Sequence, residues 1–228
     1  MRPYRRPELE NLGSRAGRVR RGVFRVTTLA EAKPATEDLI ADKQAFALAY
    51  DGRLDQARSM ARRAVELAKQ SDEQESAALF ETGSTLRQAL FGNVEEAKAS
   101  AARALKLSND REVEFGAGFV FALLGESSKA LLLANDLEKR YGEDTSVRFA
   151  YLPEIRALLA LNRGNASEAI DILKVAAPFD LGTPRSAIHG FFGSLYPIYV
   201  RGLAYLASHR ARKPRRSFRK SSMIQESS

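Results

Sequence analysis

Asp180-Leu181-Gly182 is the stretch of this chain closest to a catalytic signature. An Asp-x-Gly turn can hold a divalent metal against phosphates when a Gly-rich loop, a strand lysine and a His-Arg-Asp loop accompany it. Here no His-Arg-Asp precedes it and no Gly-rich loop follows a strand, so it reads as a turn at a helix end. Gly116 and Gly118 lie inside an apolar helical run, where small residues serve close packing rather than phosphate binding. No Walker A sequence and no His-Glu-x-x-His occurs. His189 and His209 are the only histidines, too few for a histidine-rich metal site, and the lack of Cys removes thiolate ligands and disulfides. His189 reads as a loop histidine bonded to backbone rather than a catalytic base. The expectation is a protein that is not an enzyme, with no catalytic residue, no metal and no cofactor.

What the sequence does carry is a repeat. Four segments align: YDGRLDQARSMARRAVEL (50–67), LFGNVEEAKASAARALKL (90–107), LLGESSKALLLANDLEK (123–139) and NRGNASEAIDILKVAA (162–177). In each, Gly is followed five residues later by Ala: Gly52/Ala57, Gly92/Ala97, Gly125/Ala130 and Gly164/Ala169. Seven residues further come Ala64, Ala104, Leu137 and Ala176, and the Gly spacings are 40, 33 and 39. Gly accepts the backbone of a tight turn between helices, and a small Ala lets the second helix approach its neighbour closely. An apolar, helix-like run precedes each Gly, over 37–50, 75–91, 111–124 and 146–162. Thr36 and Asp144 or Thr145 are candidate N-caps, and Pro153 either kinks the fourth run or marks its start. No strand-like alternation competes over a comparable length; VFRV (23–26) is an isolated candidate.

The reading is therefore all-α, a solenoid of about four helix–turn–helix pairs plus a final unpaired helix. Its repeat domain spans 33–209, between a basic head (1–32) and a basic tail (210–228). The head holds eight Arg against three Glu, and the tail seven Lys or Arg against one Glu. The whole chain carries +8, so the middle is mildly acidic. Low apolar content and high net charge predict disorder in both ends. No apolar run reaches the ~18 residues of a membrane span, and the N-terminus lacks the apolar core of a secretory signal. A soluble cytoplasmic protein is expected.

The Gly-x4-Ala hinge with a small or apolar residue seven further on resembles the tetratricopeptide repeat. The Trp and the helix-terminal Pro of that repeat are missing, and two periods are several residues long. The stretch 75–183, from ESAALFETG to APFDLGT, resembles the C-terminal helical-repeat region of some bacterial eukaryotic-like serine/threonine protein kinases and related transcriptional regulators. HGFFGSLYPIYVRGLAYLASH (189–209) is similar to that region's following repeat. The resemblance covers roughly 33–209 and implies a protein-interaction scaffold, a fragment of a larger signalling protein whose kinase or DNA-binding domain this chain lacks.

Placing each Gly at its repeat position puts Asp42, Phe46, Tyr50, Thr82, Phe115, Phe119, Tyr151, Glu154 and Asn162 on the inner face. The set is mixed and aromatic, without the Lys/Asn/Arg cluster that would clamp a peptide carboxylate. It suits a hydrophobic groove for a helix or a neighbouring domain, and each aromatic has an intra-repeat core position as its alternative. Phe191, Phe192, Tyr196, Tyr199 and Tyr205 around Pro197 read as core or cap rather than as a nucleobase platform. The expected partner is a protein or peptide, with no small-molecule substrate and no membrane. Nucleic acid enters only in the alternative reading, through the two basic arms. Without a further repeat, the last helix exposes an apolar face and favours self-association.

The tail has a second explanation. Codons can be chosen for Ala211 onward such that a one-nucleotide shift yields Gly-Ala-Glu-Ala-Ala-Ala-Glu-Phe-Gln-Lys-Ile-Leu, a plausible next repeat helix. On this reading the tail is a frameshifted readout and its charge a coding accident. Sequencing the gene across the codons for Leu206 to Ser217 tests it: an open frame continuing into Ala/Glu-rich helical repeats is expected, and immediate stops in the other frames make the basic tail genuine.

Overall fold

The computed structural model describes residues 37–180 and 195–212, with side chains as far as His209. The head 1–32, the VFRV segment, Thr36, His189, Phe191, Phe192 and most of the basic tail lie outside the described residues. Among the described residues there are nine packed helices and no strand. They are α1 (Glu37–Tyr50), α2 (Leu54–Gln70), α3 (Gln74–Leu90), α4 (Val94–Leu107), α5 (Arg111–Leu123), α6 (Ser127–Tyr141), α7 (Leu152–Asn162), α8 (Ala166–Ile172) and α9 (Leu195–Arg212). A π-helical turn, Val147–Tyr151, runs into α7, and a 3-10 stretch, Leu173–Phe179, continues α8.

The order of packing follows the order of the chain. α1 packs on α2, α3 on α4, α5 on α6 and α7 on α8. Each second helix also packs on the helix that follows it, and α3, α5, α7 and α9 touch in series. This serial arrangement is consistent with an α-solenoid, in which each unit contacts its neighbours.

The turns explain the pairing. Gly52, Gly92, Gly125 and Gly164 have φ of 77°, 81°, 81° and 79°, the left-handed region. At the first turn the Gly52 amide donates to Ala49 O at 3.0 Å and the Arg53 amide to Leu48 O at 2.9 Å. Gly92/Asn93, Gly125/Glu126 and Gly164/Asn165 repeat both bonds on the preceding helix. This is the double bond of a Schellman motif, which satisfies the last helical carbonyls and reverses the chain. The carbonyl after each Gly then accepts from the Ala five residues past that Gly, as in Ala57 N to Arg53 O at 2.9 Å, opening the next helix. A fifth turn of the same bonding joins α2 to α3, with Asp72 (φ 59°) in the glycine position.

From each turn a stripe of small or apolar residues runs up the second helix at i, i+4 and i+7. Ala57, Ala61 and Ala64 form it on α2; Ala97, Ala101 and Ala104 on α4; Ala130, Ala134 and Leu137 on α6. Ala169, Leu173 and Ala176 continue it through α8 and its 3-10 extension. All of these are buried. The main core joins α3 through α9 around Phe115, Phe119, Leu137, Ile155 and Val200, and a smaller cluster centred on Phe80 ties α1 and α2 to α3. On α5 the Gly118 position faces α6 and α7, where an added Cβ would meet Ile155 Cδ1 at 3.0 Å and Leu133 Cβ at 3.4 Å. Small residues there serve close packing, as the sequence suggested.

Pro153 takes a position between the two expected alternatives. It lies at the start of α7, but the chain enters through the π-helical turn, where the Leu152 amide donates to Val147 O five residues back. A proline lacks the amide for an ordinary helical bond, and widening the preceding turn accommodates it. Asp144 caps this entry, its Oδ1 accepting from the Ser146 and Val147 amides at 2.8 and 3.0 Å. α9 runs through Arg212, past the expected boundary at 209.

An added Cβ at Gly125 meets nothing within 4 Å, so Gly125→Ala costs only left-handed backbone strain, about 1–2 kcal/mol. Asp72→Gly acts in the opposite sense and stabilises the chain by up to about 1 kcal/mol. Urea unfolding of both variants beside the parent checks the pair of signs.

Candidate functional site

The nine inner-face residues divide by exposure. Phe46 is 46% and Tyr50 59% exposed, both near the end of α1. Asp42, Thr82, Phe115, Phe119, Tyr151 and Glu154 are buried. Thr82 donates to Ala78 O within its own helix at 2.7 Å. Phe115 stacks on Tyr151 with ring centroids 3.9 Å apart and planes 7° from parallel. Phe119 packs tilted against Phe115 and meets the Tyr196 ring edge-on at 5.4 Å. The start of α9 thus reaches across the first helices and closes this aromatic row. Asn162 is spent on the stack itself: its Nδ2 donates to Ala122 O at 2.8 Å, satisfying a carbonyl near the end of α5.

Asp180, the acid of the Asp-x-Gly turn, has a structural partner. Its two oxygens accept from both terminal nitrogens of Arg201 at 2.8 and 2.9 Å, a bidentate pair that pins α9 to the end of the 3-10 stretch. Tyr199 and Tyr205 are exposed on α9 while Pro197 is buried. Among the described residues no group of three or more His, Cys, Asp or Glu is placed to hold a metal.

At the turn end of the first two pairs the surface opens into a shallow cleft. Ala49, Leu54, Ala57 and Phe91 form its apolar part; Arg58, Ser84, Arg87, Gln88 and Asn93 form its polar part. Tyr50 and Leu90 adjoin Ala49 and Phe91 in sequence, and Tyr50, Leu90, Phe91 and Val94 are all large exposed apolar residues. The cleft is too shallow to enclose a small molecule. The register that selected Asp42, Phe46 and Tyr50 passed over Arg58, Ser84, Arg87, Gln88 and Asn93. Their signal was present: Asn93 follows a hinge glycine, and Arg87 and Gln88 sit one turn before it.

Charge is buried in several helix pairs. Asp42 lies 3.7 Å from Arg87 Nη2 and 3.8 Å from Lys43 Nζ, with neither carboxylate oxygen hydrogen-bonded. Burial raises its pKa above the ordinary carboxylate value, against the pull of Arg87 and Lys43. Burial likewise raises Glu154, on α7, well above the usual range, and its Oε2 has no hydrogen-bond partner. Glu114, on α5, is pushed up to about 7 by burial, with Arg140 of α6 beside it opposing the shift. The second pair has a satisfied polar core instead: Ser100 Oγ donates to Glu81 Oε1 at 2.7 Å, and Arg103 Nε to the same oxygen at 2.7 Å.

Comparison with known proteins gave no match: no family model fits the chain, and no curated protein or solved structure is significantly similar to it. Among the described residues no helix is long and apolar enough to cross a membrane.

Glu114 and Glu154 bind protons in the folded chain that the unfolded chain releases near the ordinary value of 4.5. Their folded pKa is raised, so they favour folding at acidic pH and progressively oppose it as pH rises toward and past about 7. Stability measured by thermal melts therefore falls between pH 5 and pH 8. Glu154→Gln removes the buried charge, flattens that profile and raises stability at pH 8 by about 1 kcal/mol or more, roughly 2–4 °C per kcal/mol in Tm.

Proposed function

We propose that this chain is a protein-interaction scaffold of the tetratricopeptide type, with no chemistry of its own. The observation that carries the reading is the recurrence of one turn and one contact stripe. A left-handed glycine with two closing bonds, then small or apolar residues at i, i+4 and i+7, recurs in four successive helix pairs. Such stacks present a continuous surface to a peptide or a domain. The resemblance of 75–183 to the repeat region of bacterial signalling kinases and regulators supports a place in a larger signalling protein, as the part that recruits.

The cleft between the first and second pairs is the docking point we favour. Its apolar part offers a shallow seat, and Phe46, Tyr50, Leu90 and Phe91 offer further exposed apolar surface at that end. Gln88 and Asn93, hydrogen-bonded to each other at 2.9 Å, and Arg87 supply polar contacts to the segment's backbone or an acidic side chain. An amphipathic helix or short peptide with an apolar anchor flanked by an acidic residue has the matching chemistry. The nucleic-acid alternative is confined to the basic arms outside the described residues.

Selection of peptides from a displayed library on the full chain, followed by anisotropy titration, tests the reading. Amphipathic segments with an apolar anchor are expected. Phe91→Ser, at a half-exposed position, is expected to weaken them at least about tenfold without lowering the melting temperature. Labelled duplex DNA titrated in parallel separates the alternative: binding through the arms falls steeply between low and physiological salt and ignores Phe91→Ser.

A further inference from the structure

α9 is two-faced. Pro197, Val200 and Ala204 turn inward against α7 and α8, with Leu203 half-buried beside them. The opposite face carries Leu195, Ile198, Tyr199, Gly202, Tyr205 and Leu206, all exposed. These lie at the i, i+3, i+4, i+7 spacing that normally marks the buried side of a helix. The stripe is free of formal charge: from Leu195 to His209 the only Lys or Arg is Arg201, which lies off the stripe and is held by Asp180.

The stripe is also symmetric about Gly202. Tyr199 and Tyr205 stand three residues to either side, Ile198 and Leu206 four, and Leu195 and His209 seven. When two copies of such a helix cross antiparallel at residue 202, every residue faces its mirror position. Ile198 meets Leu206 of the second copy, Tyr199 meets its Tyr205, and glycine meets glycine. That is the self-complementarity a two-fold interface requires.

Gly202 adds an independent observation. A glycine inside a helix costs about 1 kcal/mol relative to alanine. Among the described residues of one copy nothing accounts for it, because an added Cβ there would meet nothing within 4 Å. A second helix crossing at that point does account for it, since glycine allows two backbones the closest approach. The five large side chains expose 68%, 39%, 42%, 48% and 59% of their surface in chain order. That is roughly 500 Å² per copy, so a two-fold pair buries about 1,000 Å², the lower bound for a specific interface.

We propose that the chain forms a two-fold homodimer through the exposed face of α9, the two helices crossing antiparallel at Gly202. The occupant of the stripe is a second copy.

Sedimentation equilibrium of the full chain is expected to give twice its 25.2 kDa mass at about 100 µM, dissociating on dilution. Gly202→Arg places bulk and charge at the crossing but in open space within one copy, so it raises the dimer Kd at least about tenfold while the helical circular dichroism stays unchanged. Ile198→Lys and Leu206→Glu, each alone, weaken the dimer similarly, and together restore it, because each lysine then faces a glutamate of the other copy. The two positions are eight residues apart on one helix and cannot pair within it. Should Gly202→Arg fail to fold, the charge-swap set stands alone. A monomer mass throughout overturns the proposal, whether the stripe is covered by this chain's own segments or reserved for another protein. So does association indifferent to Gly202→Arg, or a double variant no tighter than the singles.

Discussion

Within each of the four helix pairs among the described residues the chain reverses over three residues through one glycine in the left-handed backbone region, and the pairing depends on that residue. Gly52, Gly92, Gly125 and Gly164 have nearly identical φ, and the same two backbone bonds follow each of them. Because the turns are alike, the helix leaving each one starts in the same register. The alanine five residues on then always faces the helix just completed. Backbone geometry at one residue thus sets side-chain contact along three further turns of helix.

Those contacts differ in substance along the chain. The first two pairs are packed largely through alanine, with Phe80 the one large aromatic centre. From α5 onward Phe115, Phe119, Tyr151, Ile155 and Leu158 thicken the core, and Tyr196 of α9 closes over it. Buried charge is spread across both halves. Asp42 and Arg87 hold α1 against α3 at a distance too long for a hydrogen bond, and Glu154 is buried on α7. Such groups add little net stability, but they oppose any register that would strand them without their neighbours.

The helix pairs were legible in the sequence because glycine and alanine are there for backbone and contact reasons that hold whatever surrounds them. The runs at 37–50 and 111–124 coincide with α1 and α5 to within one residue. The turn at Asp72 was not legible, since aspartate in the left-handed region looks like any loop acid. Neither was the accessibility of the inner face. Repeat register assigns Phe115, Phe119 and Tyr151 to a common side, but whether that side is open depends on Tyr196, more than forty residues further on. The cleft around Arg58, Gln88 and Asn93 escaped for a related reason: it is assembled from two helix pairs, and a register counted within one pair does not show what the next brings to its edge.

The shortness of the turns has one more consequence. From Tyr50 to Leu54, from Gln70 to Gln74 and from Leu90 to Val94 the chain spends only three residues outside a helix, each tied back by backbone bonds. A protease must draw an extended strand of substrate into its active site, and none of these turns is long enough to provide one without unravelling a helix. Along these first pairs, then, susceptibility to digestion is a property of the helices and not of the three-residue turns. The rate at which such a chain is cut there counts how often whole helix pairs come apart.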